Sequence, residues 1–220
     1  GVNNFFSFLA AMMLAYQPIR TLATINLVAY QGAAAFKRIL SVIDKKIEIQ
    51  DNKNFPDLIM KESEINFNNV SFRYESTNEQ AIKNISFNIQ GNTMAAFVGH
   101  SGAGKSTIIN LLPRFYDPTD GKIEIDNQNI KKVSLKSLRK NLSMVSQDVI
   151  LFDDTIKNNI LYAKESASDE EIKKACDYAA ASEFIEKLPK KYETVIGENG
   201  IRLSGGQKQR ISIARAVLKE

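Results

Sequence analysis

The stretch "GHSGAGKST", Gly99–Thr107, decides how this 220-residue chain is read. It fits the pattern G-x-x-x-x-G-K-[ST], which a chain of this length meets by chance on the order of once in a hundred sequences. Its flanks narrow the reading. "TMAAFVG" (Thr93–Gly99) is short, apolar and continuous, as a strand buried on both faces would be, and "KSTIINLL" opens a helical pattern. Phosphates are dense in negative charge and need many donors at close range. Gly99, Gly102 and Gly104 let the backbone curl with its N–H groups inward, and the helix start adds its dipole. Lys105 offers a mobile cation to the β- and γ-phosphates, and Ser106 a hydroxyl for Mg²⁺. Ser101, Ala103 and Thr107 complete the loop. His100 falls in its variable part and reads as lining, not as a catalyst. A glycine-rich turn with a solvated lysine is the competing reading, and the strand and helix on either side argue against it.

A second glycine-bearing motif, "RLSGGQKQR" (Arg202–Arg210), opens the helical run "QKQRISIARAVLK". Ser204 is a natural N-cap, and Gly205 and Gly206 leave backbone donors uncovered at the helix start. By itself the motif is either a capped helix with a flexible entry or a second anion site, and one nucleotide has no obvious need of two.

Outward from these motifs the pattern is α/β. "EINFNNVSFRY" alternates Ile65, Phe67, then Val70, Phe72 and Tyr74, which predicts a strand with a turn or bulge at Asn68–Asn69. "AIKNISFNI" repeats the alternation, "GKIEIDNQNI" predicts a strand after the turn "DPTDG", and "LSMVSQ" (Leu142–Gln147) predicts another. "SASDEEIKKACDYAA" then carries a capping box, Ser168 with Glu171, and "SEFIEKL" adds a further helix. Strands, then a helical block, then a helix heading back toward the sheet describe a sheet-based nucleotide domain with an inserted helical lobe.

The charge balance of +4 is mild, and Lys and Arg are interspersed with Asp and Glu, so no nucleic-acid-binding patch is expected. The single cysteine, Cys176, excludes an internal disulfide, fits a reducing compartment and reads as a packed helix residue. His100 is the only histidine, which leaves His-based zinc sites and Ser-His-Asp chemistry nothing to build on. The first residues, "GVNNFFSFLAAMMLAYQPIR", hold no charge before Arg20, and a helical pattern continues to Lys37 and Arg38 and on to Asp44. The apolar core of that run is shorter than the ~20 residues a membrane span needs. It lacks the basic start and small cleavage-site residues of a signal peptide. A buried helix of a soluble domain and the inner half of a membrane helix both remain open on these features. Asp44–Ser63 is polar, contains Pro56 and reads as a linker.

The phosphate loop followed much further along by "LSGGQKQR" resembles the ATP-binding cassette family, from about Glu64 to Glu220. The resemblance implies an α/β P-loop NTPase with an antiparallel β subdomain and a helical subdomain. It implies ATP and Mg²⁺ as cofactors and head-to-tail pairing with a second such domain, most simply a homodimer. In that pairing Ser204, Gly205, Gly206 and Gln207 contact, in trans, the ATP held by the other subunit's phosphate loop. Tyr74 resembles the aromatic that stacks on adenine. Gln147 resembles the glutamine that contacts Mg²⁺ and the attacking water, which makes Lys105 and Gln147 the expected catalytic residues and Ser106 and Gln147 the expected metal ligands. "LFDDTIKNNI" (Leu151–Ile160) resembles the surface that meets the coupling helices of a membrane domain. "TVIGENG" (Thr194–Gly200), with Glu198, is similar to a loop of exporters. By this likeness residues 1–43 are the end of the last transmembrane helix, 44–63 a linker and 64–220 the nucleotide-binding domain.

That likeness points to a protein of the bacterial inner membrane, with its nucleotide domain on the cytoplasmic side, exporting a lipid or other hydrophobic substrate. It is similar to lipid A and phospholipid flippases and their multidrug relatives. A soluble, non-transport cassette ATPase, a multidrug or peptide exporter, and a catalytically dead nucleotide-binding regulator are the alternatives. One departure stands out. The family pattern continues into a Walker B strand with paired acids, a D-loop and a switch histidine, and nothing after Ser204 matches them. The sequence is therefore expected to be a piece cut at both ends, incomplete at the C-terminal side, with no steady ATPase activity alone and poor independent folding.

Overall fold

An apolar run with a single proline forms one helix, α1, over Val2–Ile43. The computed structural model describes residues 1–52 and 54–219, with Ala23 by its backbone alone. Pro18 sits inside α1 and leaves one turn without its backbone donor. At 1.5 Å per residue, 42 residues span about 60 Å, roughly twice a bilayer's hydrocarbon core. By length and composition α1 is long and apolar enough to cross a membrane, and it buries none of its apolar window within the chain. Phe5, Phe6, Met13, Leu14 and Tyr30 are all exposed.

The chain divides into Gly1–Gln50 and Asp51–Glu220. The second unit begins with an antiparallel sheet of β1 (Ile65–Phe72), β2 (Ile82–Ile89), β3 (Asp120–Ile125) and β4 (Gln128–Asn129), in the order β2-β1-β3-β4. Alternation places Phe67, Val70, Ile123 and Ile125 in the core. The register between β1 and β2 slips between Phe67 and Val70, where Asn69 takes φ 49°. That extra residue restores Val70 to the buried face, so the bulge falls where the sequence places it. Asp126 and Asn127, both at positive φ, make the tight hairpin between β3 and β4.

Two expected strands do not form. Thr93–Gly99 and Leu142–Ser146 have no regular secondary structure and join no ladder. Met94 and Val98 are 97% and 93% exposed. A continuous apolar strand needs a neighbour to take its N–H and C=O groups and cover on both faces. Among the described residues neither segment has such a neighbour.

The second half of the expected linker belongs to this unit. Leu58 is buried and donates its N–H to Ser137 Oγ at 2.9 Å, and Asp51 Oδ1 accepts from Leu135 N at 2.8 Å. Lys61, Glu62, Ser63 and Glu64 donate four backbone N–H groups to the Asp126 carboxylate, at 2.7–3.3 Å. Burial raises that carboxyl's pKa, and the four donors hold it below its ordinary value.

Helices supply the rest: α2 (Lys105–Leu111), α3 (Leu135–Lys140), α4 (Ile156–Leu161), α5 (Asp169–Tyr178), α6 (Ser182–Ile185) and α7 (Gly205–Leu218). In α5 the Ser168–Glu171 capping box closes, and the Lys164 ammonium, then the Ser168 donors, hold the Glu171 carboxyl down at about 2. Ile156, Ile160, Ile172, Cys176, Ile185 and Ile211 form the core of this helical lobe. Burial pushes the Cys176 thiol up to about 11, which keeps it an inert packing group.

Candidate functional site

The phosphate loop is ordered from its downstream side. Gly102 and Gly104 take φ 82° and 85°, conformations that side chains rarely adopt. At Gly104 a Cβ would also lie 2.6 Å from the Ala81 carbonyl oxygen. The Ala103 N–H turns back to His100 O at 3.2 Å, and Lys105 Nζ donates to Gly99 O and His100 O at 2.9 and 2.7 Å. The ammonium thus lies across the loop it follows. Ser101 and Ser106 are exposed, while Thr107 is buried.

Tyr74 joins this cluster. Its Oη lies 2.9 Å from Thr107 Oγ1, and its ring packs edge-on to Phe72 and Tyr116, at 4.8 and 5.1 Å between centroids. Tyr116, which the sequence reading did not single out, also packs on Phe72, at 5.4 Å between centroids, so the three rings form one cluster. Gln147 lies at the end of the unladdered Leu142–Ser146 segment and is exposed. The chain places it on the surface and gives it no contact with Lys105 or Ser106 among the hydrogen bonds of the described residues.

At the second motif, Ser204 caps α7. Its Oγ accepts from Gln207 N at 3.3 Å, and Gln207 Oε1 accepts from Ser204 N at 2.9 Å. The reciprocal capping box was not foreseen here, although Ser and Gln three apart carry its signature. Gly205 and Gly206 are exposed, avoid positive φ, and have nothing within 4 Å of where a Cβ would stand. Nothing among the described residues requires glycine at either position.

The segment that resembles a membrane-domain contact surface and the one similar to an exporter loop are brought together. Thr155 and Val195 pair as an isolated bridge, Ile156 N donates to Thr194 O at 3.1 Å, and Ile196 N donates to Asp154 O at 3.1 Å. Glu198 is exposed at the start of a short 3₁₀ turn. Behind them lies a network the sequence reading missed. Asn159, 1% exposed, donates Nδ2 to Phe152 O and Thr155 O, both at 3.0 Å, and accepts from Phe152 N at 2.9 Å. Arg215 of α7 donates to Asn159 O (2.6 Å), Asn159 Oδ1 (2.6 Å) and Ile150 O (2.7 Å). Burial draws the Arg215 pKa down. The available signal was a polar residue at a core position of an apolar helix, in "TIKNNIL". A cavity of about 450 Å³ between α2, the Leu142–Met144 segment and α7 is lined by Phe115, Met144, Tyr162 and Arg215, away from the phosphate loop.

A glycine-bent phosphate loop on a helix start, with an aromatic tied to it and a helical lobe inserted downstream, defines a P-loop nucleotide-binding domain. Within that class the chain belongs to the ABC transporter family, whose domain matches residues 82–220. Nucleotide binding comes with that membership. The chain is 46% identical to the ATP-dependent lipid A-core flippase of Syntrophus aciditrophicus over 217 residues, 99% of this chain and 36% of that protein. It is 45% identical to the ATP-dependent lipid A-core flippase of Coxiella burnetii over 218 residues, 99% of this chain and 37% of that protein. A solved bacterial Atm1-family ABC exporter with ATP bound is similar at TM-score 0.80 and 42% identity, over 93% of this chain and 36% of that one. The chain thus spans a little over a third of the length of these relatives.

Proposed function

We propose that this chain is the ATP-binding and ATP-hydrolysing part of an exporter that moves a lipid or other hydrophobic molecule across the bacterial inner membrane, with the nucleotide domain on the cytoplasmic side. The observation that carries the reading is the pair Gly205–Gly206. Two exposed, unstrained glycines at a capped helix start have no use within the chain. They suit close approach by a group from outside it, and a helix N-terminus favours an anion. In this reading Ser204, Gly205, Gly206 and Gln207 meet the γ-phosphate of ATP held by a second copy. Gly99 to Thr107 hold the phosphates of the chain's own ATP, and Tyr74 stacks on its adenine. Names of the relatives favour a lipid substrate, and the length and polarity of α1 suit the membrane.

Ser106 and Gln147 offer hard oxygens of the kind Mg²⁺ takes, and among the described residues no cluster of three His, Cys, Asp or Glu competes with them. Mg²⁺ would be held there together with phosphate oxygens, and when bound it neutralises charge on the phosphates. Lys105 orients the same oxygens. Leu151–Ile160 is the surface toward the membrane helices in this reading, and its pairing with the Thr194–Gly200 loop at Thr155 and Val195 supports a role for that loop beside it.

Carried in a full-length transporter and reconstituted into liposomes, the chain should support ATP-dependent flipping of a labelled lipid A or phospholipid, and Lys105→Ala should abolish this while leaving the folded state intact. Transport of drugs or peptides with no lipid movement would overturn the substrate, and unchanged transport by Lys105→Ala would overturn the site.

A further inference from the structure

The Arg215–Asn159 network joins two parts of the domain that have separate roles in the proposed function. Asn159 holds the Phe152 backbone in both directions, through its carbonyl and its amide, and so fixes the loop before α4. Arg215 spends three of its donors on that same loop and on Asn159 itself, and its guanidinium lies 5.9 Å from the Phe152 ring centroid. On the other side, Arg215 sits in the last turn of α7, next to the fully buried Ala214. It lies about 16 Å along a rigid helix from Ser204. Ile150, whose carbonyl it holds, stands three residues beyond Gln147.

We propose that Arg215 and Asn159 form a positioning clamp that makes the Ile150–Thr155 loop and the signature helix α7 move as one body. A shift of the loop by whatever presses on it then re-aims Ser204–Gly206, and re-aiming of α7 moves the loop. Neither side chain touches nucleotide. The planar, five-donor guanidinium is what the site uses, because it reaches two carbonyls and an amide oxygen at fixed angles, which an ammonium cannot do. The proposal rests on the exporter reading for its consequence, since that reading makes the loop the contact with the membrane helices. The clamp itself rests on the hydrogen bonds alone.

The test has two arms. In the first, nitroxide labels at Asp153→Cys and Gln209→Cys, both exposed positions on the two sides of the clamp, report the loop-to-helix distance in the reconstituted protein. The expected result is one narrow distribution, broadened at least about twofold by Arg215→Ala and partly by Arg215→Lys. A distribution as narrow in Arg215→Ala as in the parent overturns the clamp. In the second arm, ATP hydrolysis and lipid transport are measured on the same samples. Arg215→Ala should keep its KM for ATP within about twofold and lose about tenfold in lipid moved per ATP hydrolysed, with Arg215→Lys intermediate. An unchanged transport ratio overturns the coupling role. If Arg215→Ala does not fold, Arg215→Lys decides both arms, and parental width and ratio in that variant overturn the proposal. Broadening in the first arm, with no ATP-driven transport even by the parent, would sink the exporter reading and leave the clamp standing.

Discussion

Replacing Gly206 by alanine should make the protein more stable and less active. Gly206 is the second residue of α7, avoids positive φ, and has open space around its Cβ position. Alanine there gives up less backbone entropy on folding, a gain of about 0.5–1 kcal/mol. For a domain of this size that raises Tm by about 1–3 °C. In the proposed function the same methyl group would stand where a phosphate held by a second copy approaches the helix start. Preorganised backbone donors of this kind are worth roughly 10²–10³ in rate each, so even partial displacement should cost about tenfold in ATP turnover. Gly104→Ala supplies the contrast. There φ is +85° and the Cβ would lie 2.6 Å from a backbone oxygen, so stability should fall, by about 2 kcal/mol or more. The measurements are thermal unfolding of each variant and steady-state ATP hydrolysis by the reconstituted protein. A lower Tm for Gly206→Ala would show that the glycine serves the fold, and parental turnover would show that nothing docks on it. Either result refutes the argument from Gly205–Gly206.

Tyr74→Phe removes the bond to Thr107 and keeps the ring packed against Phe72 and Tyr116, so stability should drop by about 1 kcal/mol with nucleotide affinity held within about twofold. Tyr74→Ala should weaken ATP binding about tenfold by titration with a fluorescent analogue, and equal loss in both variants would mean the ring is not the contact. Asp126→Ala should cost about 1–2 kcal/mol at pH 7, the low end for four bonds that are partly solvated. Because the folded carboxyl's pKa lies below its unfolded value, that stabilisation is complete above about pH 4 and is lost as pH falls through the folded pKa. Urea melts of parent and variant should therefore converge below pH 4, and a constant gap would contradict the cradle.

What could be read from sequence was local. The phosphate loop, the caps at Ser168 and Ser204, and the bulge at Asn69 each depend on residues a few positions apart, so the pattern contains the cause. The Asp126 cradle joins positions more than sixty residues apart, and Arg215 meets Asn159 across 56 residues. No period or spacing announces such pairs. Composition also misled at Thr93–Gly99, which has the apolar run of a buried strand but forms no ladder. Apolar content says that a segment is able to be buried in a sheet, whereas pairing is a property of the neighbours.

The two glycine motifs therefore differ in kind, although both are glycine-led helix starts. At Gly104 the backbone conformation and the Ala81 carbonyl demand glycine, so the fold of this chain explains the residue. At Gly205 and Gly206 neither conformation nor packing among the described residues does, and the proposed function explains both by the approach of a second copy's nucleotide. The same division runs through the side chains of the site. Lys105, Thr107 and Tyr74 are held in place by bonds to one another's neighbourhood, while Gln147 and Ser106 stand exposed. In the proposed function residues of the first kind hold one nucleotide. Residues of the second kind have uses only once something outside the chain arrives, and the Arg215–Asn159 clamp lies where such an arrival at the loop would reach α7.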